Sequence, residues 1–97
     1  MRLNSLYQDA IRNSFRKSFD SGEIYLFGSR IDDTKKGGDI DLYIVSTDKN
    51  KVRKKIKFLV NLKKIVGEQK IDVVLSYNKN SSIEQKARKE GILLCKL

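Results

Sequence analysis

Residues 23–46 read E-I-Y-L-F-G-S-R-I-D-D-T-K-K-G-G-D-I-D-L-Y-I-V-S. Glu23 to Phe27 is rich in Ile, Tyr, Leu and Phe, which predicts a short strand. Gly28 to Gly38 is polar with glycine at both ends, a loop composition. Asp39 to Ser46 then alternates strictly. Ile40, Leu42 and Ile44 share one face, and Asp39, Asp41, Tyr43 and Val45 share the other. The first is a core face. The second carries two carboxylates where a sequence built only for packing would place apolar side chains.

Outward from this stretch, Leu3, Leu6, Tyr7, Ala10, Ile11 and Phe15 recur at helical spacing, predicting a first helix from about Leu3 to Phe19. Asp20-Ser21-Gly22 stops it, with Gly22 suited to a left-handed cap. After the alternating strand, Thr47 or Asp48 is placed to cap a second helix that runs to about Val66. Val52, Ile56, Leu59 and Val60 are its expected buried stripe, and Gly67 ends it. Lys70 to Tyr77 predicts a strand with Ile71, Val73 and Leu75 on one face and Asp72 and Val74 on the other. Asn78-Lys79-Asn80 turns the chain, and Ser81-x-x-Glu84 is a capping box opening a short helix to about Glu90. Gly91 ends it, and Ile92 to Leu97 predicts a last strand. Strands and helices in this order read as an α+β chain, with residues 1–97 forming one domain.

Composition narrows the chemistry. The 97 residues carry 39% hydrophobic and 34% charged side chains, with a net charge of +9. No apolar run approaches the roughly 20 residues needed to span a bilayer. Met1 to Tyr7 has one Arg and no long apolar stretch, so a signal peptide is not expected and a cytoplasmic location is. Histidine is absent, which excludes histidine triads and histidine metal ligands. Cys95 is the sole cysteine, set among Leu93, Leu94 and Leu97, and reads as a buried, unreactive thiol. The positive charge suits a polyanionic partner, nucleotide or nucleic acid, or an acidic protein. Eight Lys or Arg fall between Lys49 and Lys64 with no acid among them. An ordinary solvated face explains such a run, as does a binding surface. The basic run has no interleaved aromatics, so stacking on single-stranded nucleic acid is possible but not favoured.

Asp39 and Asp41, two apart on a strand, would project from one face and repel unless a cation lies between them. Oxygen ligands suit magnesium or manganese. Asp72 occupies the equivalent place on its own strand and joins the pair if the two strands are neighbours. Three carboxylates suit a two-metal phosphoryl-transfer site. Gly28 after a strand allows close backbone approach to a phosphate, and the Ser29 hydroxyl can hold its oxygens. Arg30, Lys35 and Lys36 in the same loop would neutralise triphosphate charge. Taken singly, each feature is ordinary: Gly-Ser after a strand is usually a turn, and a lone strand Asp is usually solvated. Their order along the chain is the specific signal.

Leu26-Phe27-Gly28-Ser29-Arg30, Gly38-Asp39-Ile40-Asp41-Leu42 and Ile71-Asp72-Val73-Val74 together resemble the minimal nucleotidyltransferases of the DNA polymerase beta superfamily. The resemblance extends over roughly Leu3 to Leu97. It implies a mixed β-sheet flanked by helices. It further implies that Gly28 and Ser29 hold a nucleoside triphosphate, that Asp39 and Asp41 bind two magnesium ions (or manganese), and that Asp72 completes the triad. The implied reaction moves AMP from ATP to a hydroxyl. With no further segment in these residues to grip an acceptor, the acceptor is expected on a partner. Minimal members of the family commonly act as antitoxins beside HEPN-type ribonuclease toxins, which they are thought to adenylylate on tyrosine. That implies a HEPN-type toxin partner and a joint oligomer. The alternatives are a non-catalytic antitoxin that occludes its partner and a subunit of a small-molecule adenylyltransferase.

Overall fold

The structure, a computed structural model, describes residues 5–27, 40–67, 69–76 and 89–97. Six elements follow in order: α1 (Ser5–Ser18), β1 (Glu23–Phe27), β2 (Ile40–Val45), α2 (Lys51–Val66), β3 (Ile71–Ser76) and β4 (Ile92–Lys96). The strands form one mixed sheet in the order β3-β2-β1-β4. β1 is antiparallel to both β2 and β4, whereas β2 and β3 are parallel, joined through α2. A parallel neighbour requires such a crossover, because a tight turn can only return the chain antiparallel. The α+β class and the mixed sheet match the expectation. Leu3, the turn at residues 78–80 and the capping box at Ser81 and Glu84 lie outside the described residues.

The apolar face of the sheet is Ile24 and Leu26 of β1, Ile40, Leu42 and Ile44 of β2, and Ile71 and Val73 of β3, all buried. Against it pack Ala10, Ile11 and Phe15 of α1 and Phe58, Leu62 and Val66 of α2 in one cluster, with Cys95 among them. Phe15 meets Phe58 edge-on at 6.4 Å, the geometry that suits the ring quadrupoles, and so locks the two helices together. Arg12 ties α1 to the sheet edge by donating from Nε to the Leu94 carbonyl at 2.8 Å. Both helices therefore lie on the face away from Asp41.

Three details differ from the sequence reading. The buried stripe of α2 is Phe58, Leu62 and Val66, with Leu59 half-buried; Val52, Ile56 and Val60 are 57%, 58% and 51% exposed. Two apolar rows on α2 both satisfy helical spacing, and the row carrying the phenyl ring takes the core because it meets Phe15. Leu6 of α1 is likewise exposed. Neither Thr47 nor Asp48 caps α2. Its N-cap is Asn50, in the left-handed conformation at φ 58°, with no side-chain cap bond.

Asp48 instead anchors the turn between α1 and β1. Its carboxylate accepts from the backbone N–H of Asp20 at 2.7 Å, the Ser21 hydroxyl at 2.7 Å and the Lys54 ammonium at 3.1 Å. Burial would raise the Asp48 pKa. The bonds from Ser21, Asp20 and Lys54 outweigh it and hold the group at about 2, against an ordinary 3.8. Gly22, next in the turn, has φ +123°, and a Cβ there would sit 2.1 Å from the Val45 carbonyl oxygen. The glycine is thus required by the close approach of the turn to the end of β2, rather than by the end of the helix.

Two outcomes check this packing. Phe58→Ala should cost about 3–5 kcal/mol in denaturant unfolding, whereas Ile56→Ser should stay within about 0.5 kcal/mol of the parent. A large loss from Ile56→Ser would restore the other helix phase. Because the folded-state pKa of Asp48 is depressed, its contribution is complete above about pH 3.8 and is lost as pH falls through about 2. Asp48→Asn should therefore lower Tm at neutral pH, and the gap to the parent should close on acidification towards pH 2.

Candidate active site

The side chains opposite the helices come in cross-strand rows. Register pairs Asp41 of β2 with Asp72 of β3 on one side and with Phe27, the last residue of β1, on the other. The next row inward is Tyr25, Tyr43 and Val74, followed by Glu23, Val45 and Ser76. Alternation puts all nine on one face, since their neighbours Ile24, Leu26, Ile40, Leu42, Ile44, Ile71 and Val73 supply the helix-facing core.

Neighbouring strands are about 4.8 Å apart, so Asp41 and Asp72 stand side by side. Two unit charges at about 5 Å repel by about 1 kcal/mol in water and roughly 3 kcal/mol in the weaker screening near a protein surface. Asp41 is half-buried and Asp72 exposed. A fold that needed only packing or solubility gains nothing from two acids in register on adjacent strands. Their donor set is all oxygen, which fits a hard divalent cation such as magnesium or manganese. Among the described residues no three acidic, histidine or cysteine side chains converge. Asp39, the third member expected on β2, lies outside those residues. So do Gly28, Ser29, Arg30, Lys35 and Lys36, although the chain enters that segment directly from Phe27, the strand partner of Asp41.

Below the carboxylates the same face closes into a small aromatic cluster. Tyr25, Tyr43 and Val45 are buried, with Phe27 against them and set edge-on to Tyr43 at 6.4 Å. The alternation placed Tyr43 and Val45 on the carboxylate face but did not foretell that they are buried there. Among the described residues the Tyr43 hydroxyl has no hydrogen-bond partner, while the Tyr25 hydroxyl donates to Glu23. The carboxylate end of the sheet thus adjoins a buried, largely aromatic cluster. A pocket of about 210 Å³ lined by Ser21, Gly22, Val45, Ser46, Lys96 and Leu97 lies at the other end of the strands, remote from both acids.

Removing one of two crowded charges should relieve the free protein. Asp72→Asn is expected to leave the metal-free protein at least as stable as the parent, by up to about 1 kcal/mol. Asp41→Asn should abolish the rise in Tm produced by manganese with a non-hydrolysable ATP analogue. An unchanged rise in that variant would remove Asp41 from the metal site.

A search of the curated proteins found no match. The family model described as "Polymerase beta, Nucleotidyltransferase" matches residues 9–97, which takes in β1, β2 and β3 together with Asp41 and Asp72. The sheet, its two in-register carboxylates and that match place this chain in the polymerase beta nucleotidyltransferase family, as a minimal nucleotidyltransferase domain.

Proposed function

We infer that this nucleotidyltransferase domain transfers AMP from ATP to a hydroxyl held by a partner protein, and that the hydroxyl is a tyrosine of a HEPN-type ribonuclease toxin. The observation that carries the transfer chemistry is the register of Asp41 with Asp72 at the end of the sheet where β1 gives way to Gly28-Ser29. The tyrosine and the toxin rest on the resemblance of the three motifs to the minimal members of the family.

In this reading Asp39, Asp41 and Asp72 hold two divalent ions, which supply charge neutralisation for the triphosphate and for the leaving group. Gly28 and Ser29 hold phosphate oxygens, and Arg30, Lys35 and Lys36 balance their charge. The acceptor oxygen forms a bond to the α-phosphorus as the bond to the bridging oxygen of the β-phosphate breaks, and pyrophosphate leaves with that electron pair. The hydroxyl proton passes to the Asp72 carboxylate. Asp72 is suited to this because it is the exposed member of the pair, open to an approaching acceptor. Asp41, half-buried against Phe27 and β3, is the better fixed of the two.

Incubating the protein with the toxin, magnesium and ATP labelled at the α-phosphate should place label on a toxin tyrosine. Asp39→Ala/Asp41→Ala should eliminate it. Asp72→Asn should reduce turnover by about a hundredfold or more while sparing nucleotide affinity. Inhibition of the toxin without label transfer, unchanged in the double variant, would replace this reading with simple occlusion.

A further inference from the structure

The outer surface of α2 has two features that the carboxylate site does not use. Val52, Ile56 and Val60 are each more than half exposed and follow one another at four-residue steps. At about 100° per residue they lie within roughly 80° of the helix circumference, an unbroken apolar row. Arg53, Lys57 and Lys64 border the row and are exposed. Among the described residues these three have no acidic partner, whereas Lys54 is engaged by Asp20 and Asp48. The helix already buries its opposite face through Phe58, Leu62 and Val66. Its outer row therefore contributes nothing to the core, and β-branched residues on a helix surface lower helix propensity compared with Ala, Glu or Lys.

We propose that this outer face of α2 docks an acidic amphipathic helix of a partner protein, with Val52, Ile56 and Val60 in the apolar seam and Arg53, Lys57 and Lys64 paired to flanking carboxylates. Charge complementarity selects the occupant. A second copy of the chain would bring two helices together that have no acid between Lys49 and Val66, so like charges would face each other along the contact. A nucleic acid would use the cations and gain nothing from three aliphatic side chains. A membrane surface favours Trp, Phe or Leu in an interfacial helix, and this row has none. A helix with apolar residues at three- and four-residue spacing and Glu or Asp beside them satisfies both features at once.

α2 covers the sheet face opposite Asp41 and Asp72, so a helix seated on its outer side does not meet either carboxylate. Docking at this face is independent of nucleotide transfer. Docking there holds a protein acceptor on one side of the domain while its reactive segment reaches the other.

The test uses a labelled synthetic peptide with Leu at helical spacing and Glu on the flanking positions. Its comparisons are a scrambled peptide of the same composition, a version with Lys in place of Glu, phosphatidylserine vesicles and duplex DNA. Fluorescence anisotropy at physiological ionic strength should show the ordered acidic peptide binding at least about tenfold more tightly than the scrambled one. Ile56→Ser/Val60→Ser should weaken it by about tenfold or more, as expected for two half-buried aliphatic contacts. Lys57→Glu/Lys64→Glu, which changes no apolar residue and so keeps the test intact if the first variant folds poorly, should weaken it similarly. Both variants should retain manganese- and nucleotide-dependent stabilisation, which separates failure of docking from failure of the transferase reading. Equal binding of the scrambled peptide, no binding of the ordered peptide, or indifference to both variants would overturn the proposal. So would vesicle or DNA binding that depends on Ile56 and Val60 more than peptide binding does.

Discussion

The register of β2 is the constraint on which the rest of this molecule depends. β2 is an inner strand, paired to β1 on one side and β3 on the other. Ile40, Leu42 and Ile44 are each fully buried beneath the helices. A slip of one residue would turn all three to the opposite face and bring Asp41 into the core, where an unpaired carboxylate costs several kcal/mol. The hydrophobic effect on one face therefore fixes the position of a charge on the other. β3 is held in the same way by Ile71 and Val73, and the two registers together set Asp72 beside Asp41. The packing energy of the helix side is what keeps the two like-charged groups in place.

The far end of the sheet is secured by polar contacts. Asp48 gathers the Asp20 N–H, the Ser21 hydroxyl and the Lys54 ammonium. The Leu97 N–H donates to the Gly22 carbonyl, and Gly22 itself is pressed against the end of β2. These bonds join α1, β1, α2 and the last strand at one point. The carboxylate end is different in kind: Asp41 and Asp72 sit in register beside the Tyr25–Tyr43–Val45 cluster. The two ends of the sheet thus differ: one is tied by hydrogen bonds and the Lys54 ion pairs, and the other sets two carboxylates in register.

α2 shows how far a pattern can be read. Val52-Ile56-Val60 and Phe58-Leu62-Val66 are both rows at four-residue spacing, so periodicity alone permits either to be buried. The choice was made by the Phe58 ring meeting Phe15 across the helix pair, a contact between residues far apart in the chain. Asp48 departs from the cap expected of it for a related reason. Its position before a helix is a valid local signal, but the folded chain offers it the N–H of Asp20 and the hydroxyl of Ser21, and those partners win. Local rules rank local partners only.

What the sequence determined by itself is the set of elements whose signal is short-ranged. The alternation of Ile40, Leu42 and Ile44 against Asp41 and Tyr43, the apolar run of Glu23–Phe27 and the pattern of Ile71, Val73 and Asp72 each identify a strand and its two faces from neighbouring residues. The motif order Gly-Ser, Asp-x-Asp and a third strand Asp identified the family. Only the tertiary structure decided that β3 lies parallel to β2 in the register that pairs Asp72 with Asp41. It also decided that both helices cover the same face, and that Val52, Ile56 and Val60 remain outside. Each of these is a contact between segments separated in the chain. Such contacts are chosen by shape and buried area across the whole domain, quantities that no window of sequence contains.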